Sequence, residues 1–126
     1  MGKVGVPIAT LVYRMPMIAP MWRPPAGRVE RARITAFLAW LERERPCAVG
    51  ECGLDFHYDL SPRDVQAAVF RTHIHAARRT GLPLVVHTRS ASADTLALLR
   101  DEGQGAVRGV FHCFTETLEV AAAALD

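Results

Sequence analysis

At 126 residues, half of them apolar and 22% charged, the chain has the composition of one ordinary globular core, which excludes a disordered tail. It is short for a complete (β/α)8 barrel, which takes about 250 residues, and its net charge of +2 does not by itself imply a nucleic-acid partner. Three cysteines, odd in number and without a C-x-x-C spacing, exclude a disulfide framework and a zinc knuckle and favour a reduced, cytoplasmic chain.

Residues 1–25 hold all four methionines, five of the eight prolines and no acidic residue. The apolar run at residues 8–13 reads as a strand, but Pro16, Pro20, Pro24 and Pro25 make the chain beyond it extended or loop. Pro7 interrupts the segment and Arg14 follows it without a small-residue cleavage site, which argues against a signal peptide. It is too short to span a bilayer, and no membrane partner is expected. This segment is set apart from a domain over residues 26–126.

From Gly27, apolar Ile34, Phe37, Leu38 and Leu41 recur at helical spacing, and Pro46 stops the helix. Cys47, Ala48 and Val49 then read as a buried strand running through Gly50 into Glu51. Ser61, Pro62 and Asp64 predict a helix start, with Ser61 as the cap, and Gly81 followed by Pro83 its stop near residue 80. A strand over Leu84, Val85 and Val86 ends at His87, and a helix over about residues 92–102 presents Leu96 and Leu99. Gly103 and Gly105 turn the chain into a strand over residues 107–111 ending at His112, and a last helix begins near Thr117. Alternating strands and helices at this spacing predict βαβ units on a parallel sheet.

Glu51, His87 and His112 therefore terminate three successive strands. In parallel α/β architecture ligands bind at the carboxyl ends of the strands, and carboxylate oxygen with neutral imidazole suits zinc, manganese or magnesium. A lone histidine at a strand end is more often a satisfied polar residue than a ligand; three equivalent positions reverse that weighting. His73 and His75 form an H-x-H inside a helix, where i and i+2 face different ways, so they read as packing or solvated residues. Arg89 is placed either to bind an anionic substrate or to form an ordinary salt bridge. Asp55 and Asp94 either accept from a ligand imidazole and orient it, or cap a loop and a helix. His57 is by default a surface loop residue, and Cys113, lacking a base, reads as a small buried apolar residue.

The motifs G-E-C-G-L-D at residues 50–55, L-P-L-V-V-H-T-R at 82–89 and G-V-F-H-C-F at 109–114, with Gln66 and Phe70 spaced between them, resemble the TatD family of metal-dependent hydrolases and deoxyribonucleases over residues 47–126. The resemblance implies a (β/α)8 barrel, here partial, and hydrolysis of phosphoester bonds, chiefly in DNA, by water activated on one or two divalent ions. It implies Glu51, His87 and His112 as metal ligands, Glu51 and His112 as catalytic groups and Arg89 as the phosphate contact. The family's H-x-H on the first strand and its late-strand aspartate have no counterpart in this sequence, which reads as a truncated chain. Marginal stability, self-association through open sheet edges and little or no activity are then expected. The alternatives are a related barrel acting on another ester or amide, and an inactive fragment serving as a binding or structural module.

Overall fold

The structure, a computed structural model, describes residues 28–126, with side chains from residue 34 onward. The strand expected at residues 8–13 and the boundary near residue 25 lie outside the described residues. The elements alternate as expected: α1 (Arg28–Glu44), β1 (Val49–Asp55), α2 (Arg63–Thr80), β2 (Leu84–Arg89), α3 (Ser92–Gly103), β3 (Gly109–Phe111) and α4 (Leu118–Leu125). The three strands form one parallel sheet in the order β1-β2-β3.

Helix α2 ends where the sequence implies: Gly81 takes a left-handed φ of 71° and its N–H donates to the Ala77 carbonyl, a conformation open to glycine at no side-chain cost. Its start differs by one residue. Pro62 is the cap, and the Ser61 carbonyl instead accepts from Gln66 Nε2 at 2.9 Å. In α3 the buried stripe is Thr95 and Leu98, with Leu96 and Leu99 only half-buried. Val49, Leu54 and Leu84 of the sheet pack with Leu41 of α1 and Phe70 and Ile74 of α2 into one fully covered core.

Three strand boundaries depart from expectation, and the first two departures shape the site. β1 does not stop at Glu51 but runs to Asp55; Gly50 pairs with Val85 and Cys52 with Val86, leaving Glu51 as the extra residue of a bulge. A bulge interrupts the ladder locally and re-aims a side chain, so one strand carries two outward carboxylates, Glu51 and Asp55. β2 likewise continues past His87 to Arg89, while β3 is confined to three residues. Gly53 lets β1 and β2 lie so close: a side-chain carbon there would collide with the His87 carbonyl, and its φ of 140° is one L-residues rarely adopt.

Val110 of β3 is 61% exposed and α4 buries none of its residues. No described helix is long and apolar enough to cross a membrane. No disulfide links Cys47, Cys52 and Cys113.

Candidate metal centre

The bulge presents the Glu51 carboxylate between two imidazoles. Oε1 lies 3.3 Å from His87 Nδ1 and Oε2 3.6 Å from His112 Nδ1. Period-2 alternation on β2 sends Thr88 back toward α3, where its hydroxyl meets that of Thr95 at 3.1 Å, and leaves His87 and Arg89 on the opposite face. His112 follows β3 directly, and its N–H donates to the Val86 carbonyl at 2.9 Å, which sets the residue beside His87 across the ladder.

The far side of His87 is held by Asp55, whose Oδ2 lies 3.0 Å from Nε2. The other Asp55 oxygen accepts the backbone N–H groups of His57 and Tyr58 at 3.0 and 2.9 Å. Burial works against the charge on Asp55, but the Tyr58 N–H, the His87 ring and the His57 N–H all donate to it, and together they hold its carboxyl below the usual range. Asp55 therefore fills both roles the sequence left open, orienting an imidazole and capping a loop. Asp94 fills neither: it lies exposed in the first turn of α3, whose cap is Ala91 without a side-chain cap hydrogen bond, and the carboxylate that meets His87 is Asp55.

A cation fits this donor set on chemical grounds. Ionised carboxylates only accept hydrogen bonds, and a neutral imidazole has one N–H to donate. With Nε2–H given to Asp55, the Nδ1 lone pair of His87 faces the Glu51 oxygen, an arrangement that a second proton or a positive ion reconciles. Two donors sharing one ion at about 2.0–2.2 Å stand roughly 3.0–3.6 Å apart for coordination angles of about 90–120°, and both Glu51 separations fall within that span. The fit is pairwise, Glu51 with each imidazole in turn; among the described residues no three side chains close into a ready metal cluster.

Arg89 is exposed and makes no carboxylate salt bridge among the described residues. Its guanidinium lies over the Tyr58 ring, 4.9 Å from the centroid, with Nη1 3.5 Å from the Tyr58 hydroxyl. The H-x-H of α2 divides as helical geometry requires. His73 is buried, its Nδ1 2.8 Å from the Val69 carbonyl and its ring edge-on to Phe37, whereas His75 is exposed and meets Glu102 at 2.7 Å. Cys113 corrects the expectation of burial: it is exposed, at a φ of 49°, with Sγ 3.6 Å from His112 Nε2. The turn following the short β3 carries it out of the sheet. The thiol that is buried is Cys52, which burial pushes up to about 12 with Glu51 adding to the rise, so it stays protonated.

Two residues were missed as parts of the site. Gln66 of α2 clamps the end of β1 by accepting the Asp55 N–H at 2.9 Å and donating to the Asp55 carbonyl at 3.2 Å. Its polarity inside an otherwise apolar helical stripe was the available signal. Tyr58 lies in a loop, where no periodicity marks it.

Fold and donor set together define the class: part of a (β/α)8 barrel of the metal-dependent hydrolase type, with carboxylates and imidazoles brought together by its parallel strands. The family model for TatD related DNase matches residues 22–126, and the chain belongs to that family. It is 46% identical over 88 residues to the uncharacterized metal-dependent hydrolase YabD of Bacillus subtilis, covering 67% of this chain and 34% of the relative. It is 41% identical over 70 residues to a 3'-5' ssDNA/RNA exonuclease TatD of a Rahnella species, covering 56% and 27%. The solved structure of YJJV, a TatD homologue from Escherichia coli, superposes with a TM-score of 0.65 at 26% identity, over 75% of this chain and 37% of that one. The chain thus spans about a third of the length of the relatives it matches.

Proposed function

We propose that these residues form the metal- and phosphate-binding edge of a divalent-metal hydrolase that cleaves phosphodiester bonds in nucleic acid, DNA foremost. The observation that carries the proposal is the Glu51 carboxylate held between His87 Nδ1 and His112 Nδ1. The names of the relatives support it, since one is a metal-dependent hydrolase and another an exonuclease on single-stranded DNA and RNA. Oxygen and imidazole donors suit zinc, manganese or magnesium. A bound divalent ion supplies Lewis acidity, lowering the pKa of water and offsetting charge at the phosphoryl oxygens.

The chain's own groups divide the remaining work. Glu51 with His87 and with His112 would hold the ion. Asp55 fixes the His87 ring and raises its basicity as a ligand. Arg89, without a carboxylate partner among the described residues, binds the phosphate. We infer a cytoplasmic reaction from the odd number of cysteines and their lack of a C-x-x-C spacing.

The count of donors favours one second reading, a binding or structural module without turnover. One carboxylate and two imidazoles hold a single ion, whereas two-ion hydrolysis needs a cage for both. Calorimetric titration with manganese or zinc, beside a phosphodiester hydrolysis assay, separates the readings. Binding weakened at least about tenfold by Glu51→Gln, with turnover in the wild type, supports the hydrolase. One ion bound without turnover selects the module, and affinity unchanged by Glu51→Gln overturns the site.

A further inference from the structure

We propose that Tyr58 is a base-stacking residue, so that the centre takes a nucleic-acid strand whose bases are unpaired and free to lie on an aromatic face. The inference deepens the hydrolase reading above and rests on it for the nature of the substrate.

Tyr58 is a large aromatic residue left 58% exposed on the loop that leaves β1. The chain does not leave it loose. Its N–H donates to Asp55 Oδ1 at 2.9 Å while Asp55 Oδ2 lies 3.0 Å from His87 Nε2, so one carboxylate fixes both the backbone of the aromatic residue and the imidazole of the metal centre. The ring is held as well. The His57 ring meets it at 83° with 4.8 Å between centroids, and the Arg89 guanidinium lies over it at 4.9 Å. An aromatic residue that serves the core would be covered; this one is oriented by three neighbours and still open to solvent.

Its position suits a nucleotide. Arg89 stands two residues beyond His87 on the same strand face, about 6.6–6.8 Å along β2, and its guanidinium meets the Tyr58 ring. A phosphate reaching the guanidinium brings its own base toward the ring. Stacking on an aromatic face is tolerant of base identity because every base has a π-face, and it requires a base out of the duplex stack. The Tyr58 ring beside the Arg89 guanidinium therefore selects for strandedness and not for sequence.

The test is a binding measurement in chelator, which makes it independent of turnover. A short labelled oligothymidylate, the same strand with abasic positions and the corresponding duplex are titrated by fluorescence anisotropy against the 126-residue chain, Tyr58→Ala and Tyr58→Phe. Stacking predicts that Tyr58→Ala weakens the single strand about 5- to 100-fold, that Tyr58→Phe retains wild-type binding, and that abasic strand and duplex do not distinguish the three proteins. A Tyr58→Phe protein as weak as Tyr58→Ala overturns the proposal, because the hydroxyl and not the ring would then be the contact. Equal binding by wild type and Tyr58→Ala, or no binding of the single strand, overturns it too. Failure of the hydrolase reading registers elsewhere, as loss of turnover and of ion binding with the anisotropy result intact.

Discussion

His73 shows how one position converts burial into pH dependence. Burial holds its imidazole below the ordinary range, while the hydrogen bond to the Val69 carbonyl only partly offsets the effect. For a base with a depressed folded-state pKa, the unfolded chain binds the proton first. Stability is then fully present above the unfolded value of about 6.5 and is lost as pH falls from there toward the folded value. The loss is at most about 1.4 kcal/mol per pH unit for one proton. Urea unfolding across that window should show the wild type losing stability on acidification with a steeper slope than His73→Gln. The exposed His75–Glu102 pair is common to both proteins and cancels in the difference. Equal slopes would mean that His73 titrates normally and is not enclosed as described.

Strand β1 is the element on which the site depends, because its bulge frees Glu51 and its close approach to β2 sets Asp55 against His87. The closeness depends on Gly50, where a side chain would meet the Val85 backbone, and on Gly53, where it would meet the His87 backbone. Gly81 is the natural comparison: it also has a positive φ, 71°, but nothing lies within 4 Å of where its side chain would stand. Gly81→Ala should cost only the backbone term, about 1 kcal/mol. Gly53→Ala should cost more, about 1–3 kcal/mol of backbone strain plus the displacement of β2, and should lower the affinity for a divalent ion as His87 shifts. Urea midpoints of the two variants decide the point; a smaller loss at Gly53 than at Gly81 would contradict the packing described.

At the scale of the whole molecule, the described residues leave apolar surface open on one side. Val110 on β3 is 61% exposed, Leu118 and Leu125 of α4 are 81% and 90% exposed, and no described strand pairs with the outer edge of β3. Unpaired strand edges template pairing with other chains. The 126-residue chain should therefore associate in a concentration-dependent manner in sedimentation velocity, and Val110→Lys, which places a charge on that edge, should shift the distribution toward monomer. A monomer at all concentrations, with cooperative unfolding, would show that the edge is protected.

The sequence alone determined the order of elements and pointed to Glu51, His87 and His112 as candidate positions at or near three successive strands. Helical spacing in α1, the Gly81 and Pro83 stop and the β-branched run before His87 are local signals, set by backbone conformation and side-chain period. The family motifs at residues 50–55, 82–89 and 109–114 were equally legible. What the sequence could not determine was which atoms meet. The bulge at Glu51 comes from the register of β1 against β2, the choice of Asp55 over Asp94 from which carboxylate that register sets against His87, and the roles of Gln66 and Tyr58 from contacts across 11 and 31 residues of chain. Burial of Cys52 was likewise decided by its pairing with Val86 beyond the bulge, and exposure of Cys113 by where β3 stops. These are long-range pairings, and a strand's local pattern fixes its period but not its partner's register or length.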